Sequence, residues 1–167
     1  MGVLSEEFNT VDNPNLGAFI IWSFVKGYCI SNKEGVPLPL IFIVLSTIYN
    51  PEILNEIQST REESGLRQFT NKMSVKSNSK NDLLLQIYVE SNSEEMKLLT
   101  YNSIRIAIYL RFIELDYTTA NFKVKNSKNR TAEPPNIIKM GKAAEKLGVW
   151  CSRNTLYEIS NILKVRF

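Results

Sequence analysis

"NPNLGAFIIWSFVKGY", residues 13–28, is the stretch on which the fold turns. Asn13 followed by Pro14 predicts a helix start. The Asn side chain can accept from the free N–H groups of the first turn, and proline suits the first helical position because its missing N–H is not needed there. Leu16, Phe19, Ile20 and Phe24 then recur at helical spacing, and Trp22 and Val25 widen that face. Gly27 and the polar run "SNKEG" at 31–35 predict its end.

The same grammar recurs outward from this helix. "VPLPLIFIVLSTIY", 36–49, is apolar nearly all round, and Pro37 and Pro39 argue against a central strand, so it predicts a buried helix. Asn50-Pro51 repeats the Asn-Pro start and opens a shorter helix through Ile53, Leu54 and Ile57. Ser59 with Glu62, Thr60 with Glu63, and Ser91 with Glu94 all have capping-box spacing, while Gly65 interrupts any continuous helix. "SVKSNSKND", 74–82, reads as a polar loop, and Leu83–Leu85 with Ile87 and Val89 as another apolar stretch. A long helix from Glu94 to about Glu114 should bury Met96, Leu99, Ile104, Ala107, Ile108 and Ile113. Tyr117, Thr119, Phe122 and Val124 are strand formers and predict a short hairpin or edge strand. Pro134-Pro135-Asn136 leads into a helix with Ile137, Met140, Ala143, Ala144 and Leu147 on one face and Gly148 as its C-cap. Thr155 and Glu158 form a capping box for a last helix.

The expectation is one mainly α domain of 167 residues: a compact multi-helix body with a small β-hairpin, with a divergent winged-helix arrangement as an option. Charge divides it in two. Residues 1–120 hold ten Lys/Arg and fourteen Asp/Glu, net −4; residues 121–167 hold ten and three, net +7. An acidic helical part and a basic C-terminal part suggest different partners. The chain has no histidine, which removes the commonest general base and zinc ligand and argues against an enzyme. Cys29 and Cys151 have no metal-ligand spacing and read as reduced thiols. The first residues, "MGVLSEEFNT", have no basic and apolar leader pattern, and the apolar run 38–48 is short of the roughly 20 residues a membrane span needs, so a cytoplasmic protein without a membrane partner is expected.

Three places could carry function. "GKAAEKLGV...TLYEISNIL", from 141 to 163, resembles a helix-turn-helix in its small Ala144 and turn-like Gly148 and Val149, with Lys142, Lys146 and Arg153 able to face phosphates. Its turn is about two residues longer than usual, and Trp150 and Cys151 sit where small polar residues belong; a helical hairpin closing the core is preferred. Lys123, Lys125, Lys128 and Arg130 form a basic loop able to touch phosphates or an acidic partner. Glu62/Glu63 and Glu94/Glu95 are adjacent and cannot face each other across a helix, so first-turn electrostatics explains them. Gly141-Lys142 lacks the rest of a phosphate loop, and no cofactor or metal site is expected. Trp22 and Trp150 are core or partner anchors. Val165 and Phe167 alternate with Lys164 and Arg166, as in a short strand, and predict a docked terminus pairing with 117–124.

"NPNLGAFIIWSFVKGY" (13–28), "VPLPLIFIVL" (36–45), "STREESGLRQF" (59–69), "KNDLLLQI" (80–87) and "KAAEKLGVW....TLYEISNILKVRF" (142–167) together give the chain a family look. It resembles the middle component of bacterial three-component ABC systems, the family that supplies the small accessory subunit of Lamassu-type anti-phage and anti-plasmid defence. The resemblance implies a role rather than a chemistry. An SMC/Rad50-like coiled-coil ATPase does the ATP work and reads foreign DNA, a separate effector, often a nuclease, does the damage, and the middle component sits with the ATPase and holds or regulates the effector. It carries over no catalytic residue. The alternative is a DNA-binding module using the basic C-terminal part.

Overall fold

In the computed structural model, which describes residues 12–77, 82–128 and 133–167, helix α1 is Pro14–Ser31. Asn13 caps it, its Oδ1 accepting from the Asn15 N–H at 2.9 Å. All but one of the residues from Leu16 to Cys29 are buried. A helix apolar all round must be enclosed on every side, so α1 is the axis of the molecule. Contrary to expectation, Gly27 does not end it. The helix runs on to Asn32, because Gly27 lies where α8 (Pro135–Ser152) crosses α1. A Cβ on Gly27 would sit 2.0 Å from the Glu145 carbonyl oxygen, and one on Gly148 2.2 Å from that of Phe24. Gly148 is likewise no C-cap: α8 continues through it to Ser152. Both glycines are there to let two backbones touch.

Around this axis the chain winds short helices. Val36–Pro37 forms strand β1, and the apolar segment after it breaks into α2 (Leu38–Ile41) and α3 (Val44–Ile48) instead of one buried helix. Helix α4 (Pro51–Ser59) is capped by Asn50, whose Oδ1 accepts from Glu52 and Ile53. The two expected capping boxes at 59–63 are absent: the Ser59 and Thr60 hydroxyls donate back to the Glu56 carbonyl and close α4, and a 3-10 turn, Glu62–Ser64, precedes α5 (Gly65–Lys76). Residues 74–76, expected in a loop, extend α5. Helix α6 (Leu83–Ser91) starts on Asp82, and α7 (Glu94–Tyr109) on Ser93 rather than Ser91. α7 stops five residues short of Glu114, where Arg111 takes a φ of 58° and turns the chain into β2.

Strands β2 (Ile113–Asp116) and β3 (Asn121–Val124) make the expected hairpin, with Tyr117 at its exposed turn. β1 joins β3 on the other side, giving an antiparallel sheet in the order β1-β3-β2, with Val36 opposite Phe122 and Leu115 opposite Phe122 on the other flank. Pro37 sits in the edge strand, where proline is tolerated. Val36, Ile113 and Phe122 bury one face of the sheet in the core. The sheet precedes the pair α8 and α9 (Leu156–Leu163) in the chain. One cluster of buried side chains runs through all these elements from Leu16 to Val165.

Candidate interaction surface

Three of the six expected contact cations have partners within the fold. Alternation along β2 and β3 puts Glu114, Asp116, Lys123 and Lys125 on the same outer face of the hairpin. Lys123 Nζ lies 3.1 Å from Asp116 Oδ2 and Lys125 Nζ 3.3 Å from Glu114 Oε2. These are diagonal cross-strand pairs, and the Lys123 ammonium holds the Asp116 carboxyl below its usual range, helped by the Thr118 N–H. Lys128 is exposed; Arg130 lies outside the described residues. Lys142 is exposed on α8, but Lys146, one turn on, is a structural cap. Its ammonium donates to the carbonyl oxygens of Ile57 (3.0 Å), Gln58 (3.3 Å) and Thr60 (2.9 Å), the orphan acceptors at the C-terminus of α4. Desolvation there lowers its pKa, while Glu62 and Glu63 oppose the shift.

The tryptophans are core. Trp150 is fully buried, 5.3 Å from the Phe69 ring, and its Nε1–H donates to the Glu62 carbonyl at 2.8 Å. Arg153 donates to the same carbonyl at 3.2 Å, so it too serves the 3-10 turn. Trp22 packs between Phe19 and Phe112, and its Nε1–H donates to the Asn126 carbonyl at 2.6 Å, tying the segment after the hairpin to α1. Cys29 and Cys151 are both buried, and burial raises the pKa of each thiol.

The terminus is half as expected. Val165 is 2% exposed, docked behind an αL residue, Lys164, with its N–H on the Ser160 carbonyl and its own carbonyl accepting from Ser160 Oγ at 2.6 Å. That closure is a helix end, not a strand, and residues 164–167 do not pair with 117–124. Phe167 is 46% exposed and borders a groove of about 330 Å³ with Pro39, Phe42, Tyr101 and Arg166.

Among the described residues, one face of α7 carries several exposed apolar side chains. Thr100, Ser103, Ile104 and Ala107 face inward, as the buried side. The opposite side carries Leu98 (64% exposed), Tyr101 (60%), Ile108 and Tyr109 (85%), with the Tyr101 ring against Phe42 in an edge contact at 5.6 Å. Ile108 was expected in the core and instead lies on this outer face. The stripe was missed because the helix has two apolar sides, and its sequence alone does not tell which one α1 covers. A second concavity, of about 780 Å³, lies between α4 and α5. Its one buried carboxylate, Glu56, is held by Lys76, and Lys72 donates to the Thr60 hydroxyl, while Arg67 also lines it. Among the described residues no three His, Cys, Asp or Glu come together as a metal site, and no single helix is long and apolar enough to cross a membrane.

The chain is thus mainly helical, with both tryptophans in its core and an apolar stripe of α7 exposed. The family model of the ABC-three component (ABC-3C) system Middle Component 3 matches residues 1–167, and the chain belongs to that family. It is thus an accessory subunit with partners in a multi-component ABC system. No curated protein and no solved structure matches it.

Proposed function

We propose that this middle component is a non-catalytic subunit of an SMC/Rad50-like coiled-coil ATPase complex in bacterial anti-phage or anti-plasmid defence, cytoplasmic, where it bridges or restrains a nuclease-type effector. The observation that carries the reading is family membership over the whole chain. A histidine-free sequence and two core thiols with raised pKa supply little equipment for chemistry, which favours a subunit that acts by binding. Foreign DNA is sensed chiefly by the ATPase in this scheme. The alternative, a DNA reader built on the basic C-terminal part, is the weaker one because Lys146 is spent on the end of α4 and Lys123 and Lys125 sit beside acids.

Co-expression with the ATPase encoded beside it tests the reading. A complex that survives gel filtration, with or without ATP and DNA, is the expected result. Separate elution under all those conditions would end it.

A further inference from the structure

We propose that the open face of α7 is the seat for an acidic amphipathic helix of a partner subunit. The inference rests on the accessory-subunit reading and specifies its contact surface. Leu98, Tyr101, Arg105 and Ile108 are spaced three, four and three residues apart, the repeat that keeps a seam facing a neighbouring helix. α7 is 16 residues long, about 24 Å, enough for roughly two heptads of contact. Three exposed apolar side chains, Leu98, Tyr101 and Ile108, on one stripe are more than scattered surface apolars.

Charge selects the occupant. Between Glu95 and Glu114 the chain carries Lys97, Arg105 and Arg111 and no acid; the acids of α7, Glu94 and Glu95, lie in its first turn, away from Arg105, and Arg166 adds a cation at the groove beside Tyr101. Among the described residues none of the four cations is in an ion pair. Arg105 stands in the seam itself, between Tyr101 and Ile108, so a basic or apolar helix would leave it desolvated without a partner, whereas a helix with Glu flanking its apolar residues would pair it. Nucleic acid fits less well, because phosphates gain nothing from Leu98 and Ile108. A second copy of α7 running parallel would bring another unpaired arginine, its own Arg105, to the same seam.

The probes are two synthetic peptides about three heptads long, with Leu at the seam and either Glu or Lys at the flanking positions, titrated against the full chain by fluorescence anisotropy. The Glu peptide should bind at least about tenfold more tightly than the Lys peptide, and Arg105→Glu should abolish or invert that preference. Leu98→Glu combined with Ile108→Glu should abolish binding while the melting temperature stays put, as expected for exposed positions. Equal binding of the two peptides, or normal binding by the double variant, overturns the proposal. So does duplex DNA binding that the double variant loses, or peptide binding that appears only after residues 1–11 are deleted, which would make the chain's own Glu6–Glu7 segment the occupant. The ATPase pull-down separates the two levels. A complex lost in the double variant supports the surface. A complex kept by it overturns the surface and leaves the accessory role standing. If even the wild type forms none, the accessory role falls and the peptide titration alone decides the surface.

Discussion

Trp150 shows how one side chain ties distant parts of the chain. Its ring fills the space beside Phe69 on α5, and its N–H satisfies the Glu62 carbonyl in the 3-10 turn. Trp150→Ala would leave a cavity and an orphaned acceptor, and should cost about 3–5 kcal/mol in denaturant unfolding. Near-wild-type stability would show that the side chain does not pack as described. At the start of α9 the effect is one of protonation. Thr155 N–H and Oγ1 bind the Glu158 carboxylate at 2.7 and 3.0 Å, and the backbone N–H is the main cause of its depressed pKa, with the hydroxyl next. An acid with a folded pKa below its unfolded value near 4.5 adds stability above that value, and loses it as pH falls through the lower folded one. The melting-temperature advantage of wild type over Glu158→Gln should therefore be present at about pH 6 and shrink toward about pH 3. A difference independent of pH would mean that the carboxylate charge plays no part in the cap.

At the scale of elements, two glycines that look like helix stops are contact points. Gly→Ala in an ordinary helix interior stabilises by up to about 1 kcal/mol. At Gly27 and Gly148 the added methyl would meet backbone carbonyls of the crossing helix at 2.0 and 2.2 Å, and backbone cannot swing aside as a side chain can. Each Gly→Ala change should instead destabilise by about 1–3 kcal/mol, read from denaturant midpoints. The opposite sign is expected at Lys164, a non-glycine residue held at φ 55° where α9 ends. Lys164→Gly should raise stability by about 1 kcal/mol. These positions also show what was legible in the sequence. Asn13-Pro14, Asn50-Pro51 and the Thr155–Glu158 box act within one helical turn, and each opens a helix where expected. Gly27 and Gly148 were misread because glycine serves both termination and close approach, and only the crossing of α1 over α8 distinguishes them. The early end of α7 at Arg111 is likewise imposed from outside, by the strand β2 that the chain must reach. The candidate site was legible as spacing in α7 but not as a surface, for the same reason.

At the scale of the whole molecule, the charge asymmetry is expected not to translate into a strong DNA-binding face. Besides Arg153, which donates to the Glu62 carbonyl, six cations were candidates for phosphate contact: Lys123, Lys125, Lys128, Arg130, Lys142 and Lys146. If all six neutralised phosphates on duplex DNA, log affinity would fall with log salt at a slope of about −5. Lys146 cannot take part without uncapping α4, since its three donors are already on carbonyl oxygens. Lys123 and Lys125 can leave their surface partners cheaply, but Asp116 and Glu114 stay beside them and repel an approaching phosphate. No more than about half of the set is left, so the isolated chain should bind duplex DNA weakly with a slope no steeper than about −3. A slope near −5 would return the basic C-terminal part to a direct role on DNA. A shallow one leaves DNA to the other subunits, and the long-range value of the positive end is then to steer an acidic protein partner, an effect that should likewise weaken with salt in the association rate rather than in the dissociation rate.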